Sequence, residues 1–369
     1  MREGKTKMVF LFGPGGVGKT TIASALGIGL AKTGYNTLVV TVDPAKRLRD
    51  VLRIKEIGFE PVSLNRFYKE ETNCEILGNV DAMMIDSKNA FLNLLRRYIT
   101  NEDVINNIIS NRIFRFLSES LIGAQEYLAA EKIYDIFLSN QYDIIVVDTA
   151  PSKNAFEFID GASKMAEFLD KKVIRFFVDT SDSDSIKSLF IKKTGKFLYK
   201  ILGIIFGEEF IADMKGFLNN MTEMYDDLLK RAYELSALYL SDNVKYVIIG
   251  SPQKLSLGEL NHLQKGLHQR GITEITMVLN RAPYFWGRED LISQLNMMMT
   301  NLKNSDIKYN LEFILSLERE MLESAKRDLE SRSHAVGTRR IVLPDLYTDI
   351  SNFEQLSKLG DIMRGGFNI

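Results

Sequence analysis

The stretch FGPGGVGKTT, residues 12–21, directly follows the apolar run Met8-Val9-Phe10-Leu11. Gly13, Gly18, Lys19 and Thr20 stand at the spacing G-x-x-x-x-G-K-[ST], and residues 21–32 after them have helical character. A strand that feeds a glycine loop and then a helix limits the folds open to a chain more than any bulk property. In that context the loop N–H groups can wrap phosphates, and the helix N-terminus adds a favourable dipole. Gly13, Gly15, Gly16, Val17, Gly18, Lys19, Thr20 and Thr21 are therefore candidate nucleotide-binding residues. In such a loop the lysine reaches the β- and γ-phosphates and the Thr20 hydroxyl ligates Mg2+. The competing reading is a glycine turn with no ligand.

The rest of the chain agrees with a strand–helix alternation. Short apolar, β-branched runs at 8–12, 37–42, 80–85, 143–147, 245–249, 274–279 and 340–343 read as buried parallel strands. Helical stretches separate them, which predicts an α/β fold with a doubly wound, mostly parallel sheet. Ligands of such sheets lie at the carboxyl ends of the strands. Segments 88–138 and 182–240 carry helical patterns without a clear strand. There is no repeat, low-complexity tract or proline-rich linker. The expectation is one domain over 1–369, with 88–138 and 182–240 as helical elaborations within it.

Further candidates stand at strand ends. In TVDPAKRL, 41–48, Asp43 faces the crevice and can orient an attacking water or hold a metal-bound water. It serves equally as an N-cap, with Pro44 at the first helical position. In DIIVVDTAPSKNAF, 143–156, four apolar residues run into Asp148, placed to hold Mg2+ through water opposite Thr20. Thr149-Ala150-Pro151 then begins a loop able to sense a γ-phosphate; the alternative is a plain strand-to-helix turn. In MVLNRAP, Asn280 can pair with an adenine edge as donor and acceptor. In RIVLPDL, Pro344 can pack on the base. Each of these two also reads as an ordinary turn.

Composition removes several function classes. Across 369 residues the formal net charge is −1, so nothing advertises a nucleic acid or an anionic membrane. Cys74 is the one cysteine, which excludes an intrachain disulfide and any metal site needing two cysteines from one chain. The beginning of the sequence does not read as a signal peptide. The greasiest stretch, 197–206, carries Lys200 and is too short to span a bilayer. A cytoplasmic protein without an integral membrane span is expected.

Taken in order, GPGGVGKTT, VDPAKRL, NVDAMMID, YDIIVVDTAP, IGSPQKLSLGEL, VLNRAP and VLPDL resemble the anion-transporting ATPase family. That family includes the arsenite-pump ATPase and the targeting ATPase of tail-anchored membrane proteins. The resemblance runs over most of the chain and implies a P-loop NTPase of the deviant-Walker type. It implies an ATP- and Mg2+-dependent homodimer acting as a nucleotide switch. It also implies that Lys19 and Asp43 are catalytic, with Asp43 orienting water. By the same resemblance Asp148 matches the family's second switch, and Asn280 and Pro344 its adenine contacts; Thr20, Asp43 and Asp148 are the metal candidates.

The sequence also departs from the family pattern. The family usually has a lysine after the first glycine, reaching across the dimer to the partner's nucleotide; here that position is Pro14. Proline fixes φ and removes one donor from a loop with several others, so phosphate binding survives and the lysine contact is what is missing. Lys46, Arg47 and Lys153 are candidates for replacement charge, and each also reads as a solvated side chain. Lys153-Asn154 stands where the family commonly has glycine–histidine. The arsenite site needs a cysteine cluster and the zinc clasp a C-x-x-C pair; Cys74 supplies neither, so no zinc is expected.

Residues 186–228 are rich in large apolar side chains, among them Phe197, Ile201 and Ile205, interrupted by Gly203, Gly207 and Gly216. The resemblance implies a groove for a hydrophobic client helix here, which methionine and exposed aliphatic side chains suit; the residues read equally as a buried helical layer or dimer seam. Met297-Met298-Met299 reads the same two ways. The leading expectation is a dimeric ATPase whose hydrolysis controls binding of a hydrophobic client or partner protein. The alternative is a positioning or partition ATPase acting on a membrane or nucleoid. The end LSKLGDIMRGGFNI offers little of the basic amphipathic helix that alternative wants.

Overall fold

The computed structural model describes residues 6–42, 47–110, 124–150, 155–170, 224–252, 254–283, 286, 288–302, 305–330, 338–345, 350 and 352–365. Asp43, Pro44, Lys46, Pro151, Lys153 and the greater part of segment 186–228 lie outside the described residues.

One eight-stranded sheet carries the fold. Its strands are β1 (Lys7–Phe12), β2 (Asn36–Thr41), β3 (Val62–Ser63), β4 (Asn79–Met84), β5 (Ile144–Asp148), β6 (Val244–Gly250), β7 (Ile275–Ala282) and β8 (Thr338–Pro344). The order across the sheet is β3-β4-β2-β5-β1-β6-β7-β8. Every neighbouring pair is parallel except β3 with β4. The apolar runs of the sequence correspond to β1, β2 and β4–β8, shifted at their ends by a residue or so, and up to three at β7. All of β5 is buried, and only the first residue of β1 and of β2 is less than buried. Strands covered on both faces read as continuous apolar runs, which is why these were legible. The antiparallel β3 was not foreseen: two residues have no period to read.

Helices follow the strands in turn. They are α1 (Lys19–Ala31), α2 (Arg47–Leu52), α3 (Asn65–Thr72), α4 (Ser87–Tyr98), α5 (Glu102–Ser110) and α6 (Ala124–Ser139). After β5 come α7 (Ala155–Asp170), α8 (Tyr225–Tyr239), α9 (Lys254–Gln269), α10 (Glu289–Thr300), α11 (Ser305–Glu330) and α12 (Phe353–Arg364). No helix among the described residues is long and apolar enough to cross a membrane.

The chain divides into two compact units. The first, residues 1–84, 139–156 and 242–369, contains the sheet. Its core joins Val9 and Leu11 of β1, Val39 of β2 and Val146 of β5 to Ile22, Leu26 and Leu30 of α1. Helix α1 is buried at every residue but Thr21. Such burial needs close neighbours on both sides. A Cβ added at Gly29 would lie 2.7 Å from the backbone oxygen of Gly360, so α1 and α12 meet backbone to backbone. Lys32 then donates to Asp361 and Ser357 at 2.6 and 2.7 Å, fixing the lower end of the same contact. A smaller apolar cluster, Met299, Leu315 and Leu322, joins α10 to α11.

The second unit, residues 85–138 and 157–241, is helical among its described residues. The Asp86 side chain caps α4 by accepting from the Asn89 N–H at 3.0 Å. Its interior holds a charge cluster. Arg231 of α8 donates to Glu131 at 2.7 Å and to Asp135 at 2.6 Å, both on α6. Arg97 of α4 also pairs with Asp135. The Tyr127 hydroxyl donates to Glu131 at 2.6 Å. Burial opposes the charge on Arg231, but Glu131 and Asp135 outweigh it and raise the guanidinium above its ordinary value.

Candidate active site

Three parallel strands set the site. Asp148 ends β5, with Leu11 of β1 and Thr41 of β2 in register on either side. The glycine loop leaves β1 and enters α1 here, at the carboxyl edge of the sheet. Gly15 and Gly16 are exposed, while Gly13, Pro14 and Val17 are buried and Gly18 and Thr21 are half-buried. Gly16 and Gly18 have φ of 82° and 94°, values that L side chains rarely adopt.

The loop closes over its own lysine. Lys19 Nζ donates to the carbonyls of Gly13 at 2.9 Å and Pro14 at 3.0 Å. Pro14 offers no N–H, but its carbonyl belongs to the cradle. The Thr20 hydroxyl donates to Asp148 Oδ2 at 2.7 Å, and the Thr41 hydroxyl donates to the same oxygen at 3.1 Å. The Thr149 hydroxyl donates to the Leu11 carbonyl at 2.7 Å, tying the chain after β5 to β1. Sequence reasoning had paired Thr20 with Asp148 and had missed Thr41.

A hydroxyl and a carboxylate converging on one point are hard oxygen donors of the kind Mg2+ takes, directly or through water. Thr20 and Asp148 fit that group. Asp43, the third metal candidate and the expected catalytic carboxylate, lies outside the described residues.

The two late candidates stand at adjacent strand ends. Pro344 closes β8 opposite Ala282, and the Asp345 N–H donates to the Ala282 carbonyl at 2.8 Å. Asn280 turns toward the loop: its Nδ2 donates to the Val17 carbonyl at 2.8 Å. The sequence offers this amide for a base edge or an ordinary turn, and the loop contact is legible in neither. Arg47 opens α2; Lys46 and Lys153, the other candidates for replacement charge, lie outside the described residues.

Comparison with known proteins bears on this arrangement. The anion-transporting ATPase family matches residues 6–290. An ATPase GET3 of Malassezia globosa is 26% identical over 285 residues, 75% of this chain and 73% of that protein. An ATPase ASNA1 homolog of Plasmodium berghei is 22% identical over 365 residues, 96% of this chain and 86% of its own. A Halobacterium salinarum protein whose name assigns it to the arsenical pump-driving ATPases is 33% identical over 175 residues. That match covers 45% of this chain and 25% of the Halobacterium protein, so the chain spans about a quarter of that relative's length.

Proposed function

Because the chain belongs to the anion-transporting ATPase family, we propose that it is a Mg2+-dependent ATP hydrolase working as a homodimeric switch for a hydrophobic client or partner protein. The observation that carries the hydrolase is the meeting of Thr20 and Asp148 at 2.7 Å beside the glycine loop. It joins the loop's helix to the strand end that follows the phosphate site, the pairing that phosphoryl-transfer sites of this type require.

In this reading the loop N–H groups from Gly15 to Thr20 bind the phosphate oxygens. Lys19 exchanges the carbonyls of Gly13 and Pro14 for the β- and γ-phosphates, so the retracted ammonium is held ready within the cradle. Thr20 and Asp148 would hold Mg2+, which would supply charge neutralisation when bound. Asp43 orients the attacking water. Thr149, anchored on Leu11, starts the segment that registers loss of the γ-phosphate. Asn280 and Pro344 receive the adenine. We read the two compact units as one ATPase domain, the helical unit elaborating the sheet. The client role rests on the GET3-named relatives and on the apolar content of 186–228.

Phosphate release from ATP tests the hydrolase. The full-length parent protein should hydrolyse ATP with Mg2+ and not in excess EDTA. Lys19→Ala should abolish turnover, and Asp43→Asn should retain ATP while slowing hydrolysis by roughly two or more powers of ten. Parent-rate turnover by Asp43→Asn would remove that residue from the mechanism.

A further inference from the structure

We infer that Asn280 is a positioning residue for the phosphate loop, bracing the Val17–Gly18 peptide from β7, two strands away from β1. The inference deepens the ATPase reading and rests on it.

Three observations converge. First, the pairing of β7 with β8 slips between Leu279 and Ala282, so Asn280 and Arg281 fall in a bulge. Bulges re-aim side chains at strand ends. Second, Arg281 has φ of 55°, a left-handed conformation that a long side chain adopts only where its surroundings impose it. Third, the Asn280 amide reaches the loop across 263 residues of sequence and donates to the Val17 carbonyl at 2.8 Å.

The loop is shaped to receive it. A Cβ added at Gly18 would lie 2.6 Å from Asn280 Nδ2. The second glycine of the motif therefore does two things: it takes φ of 94° and it leaves room for the amide. A trans peptide is planar, with its C=O and N–H pointing opposite ways. Holding the Val17 oxygen toward Asn280 thus aims the Gly18 N–H away from Asn280, where a phosphate oxygen accepts it. The brace fixes one donor of the cradle before any ligand arrives.

A ligand without a base isolates this role. Titration calorimetry of the full-length protein would compare Mg2+–tripolyphosphate with Mg2+–ATP. Asn280→Asp keeps the shape but turns a donor into an anion facing a carbonyl; Asn280→Ala removes the group. Both variants should bind tripolyphosphate about tenfold more weakly, and ATP at least tenfold more weakly because ATP also loses the base contact, while both still unfold cooperatively. Arg281→Gly accepts the left-handed backbone and keeps the amide, so it should bind both ligands as the parent does. Unchanged tripolyphosphate affinity alongside weakened ATP would overturn the brace and leave a base contact. Loss of tripolyphosphate binding in Arg281→Gly would also overturn it. A parent protein that binds neither ligand would instead remove the ATPase reading beneath it.

Discussion

Gly18 carries two constraints at once. Its φ of 94° is left-handed, and its missing side chain admits the Asn280 amide. A single methyl group there meets two penalties. The left-handed backbone alone costs an alanine about 1–2 kcal/mol. The displaced amide then leaves the Val17 carbonyl without that donor. Gly18→Ala should fold with a lowered melting temperature and bind Mg2+–ATP at least tenfold more weakly; unchanged affinity would show that neither the conformation nor the brace matters to the loop. The motif spacing was legible because it is local. Thr41 was not, because its partner Asp148 is 107 residues away and a threonine ending a strand looks like any β-branched residue. Asn280 was legible as a polar residue past a strand, but its aim depends on a bulge that no local pattern announces.

Among the elements, the long apolar strands were read correctly and β3 was missed. The sheet is buried on both faces along its centre, and burial writes itself into sequence. The charge cluster of the second unit writes nothing so plain. Arg231 finds Glu131 and Asp135 at separations of 100 and 96 residues, and each of the three reads alone as a solvated helix charge. Their burial makes them costly to disturb singly. The Glu131 side chain is only 3% exposed, so removing its guanidinium partner strands a carboxylate. Arg231→Ala should destabilise the protein by about 3–5 kcal/mol in urea unfolding. Replacing Arg231 and Glu131 together by leucine, with Tyr127→Phe to remove the hydroxyl that donates to Glu131, should recover most of that loss, because apolar groups need no partner. A loss below about 1 kcal/mol in the single variant would place the pair among the weak surface ion pairs.

At the scale of the whole molecule, Pro14 and helix α11 bear on the same question. In the family pattern a lysine at the Pro14 position crosses the dimer; proline has no charge to send. On the proposed reading each phosphate site is then built from one chain, and turnover per chain should not depend on protein concentration. The proposed dimer has a candidate seam elsewhere. On α11, Leu315 and Leu322 pack within the chain against Met299. On another side of the same helix Ile314, Leu317 and Met321 are exposed by 54%, 44% and 51%. Spacings of three and four residues along one side of a helix are the seam of paired helices. A second copy of the chain meets such a stripe with the same stripe about a two-fold axis, so the contact needs no other component. Sedimentation velocity at micromolar protein should show a dimer, and Ile314→Glu with Leu317→Glu should give a monomer. Both forms should hydrolyse ATP at the same rate per chain, and dilution of the parent should leave that rate unchanged. A monomeric parent, or a variant that stays dimeric, removes α11 as the seam. A rate that collapses on dilution would show that some other residue of the partner subunit enters the site in place of the missing lysine.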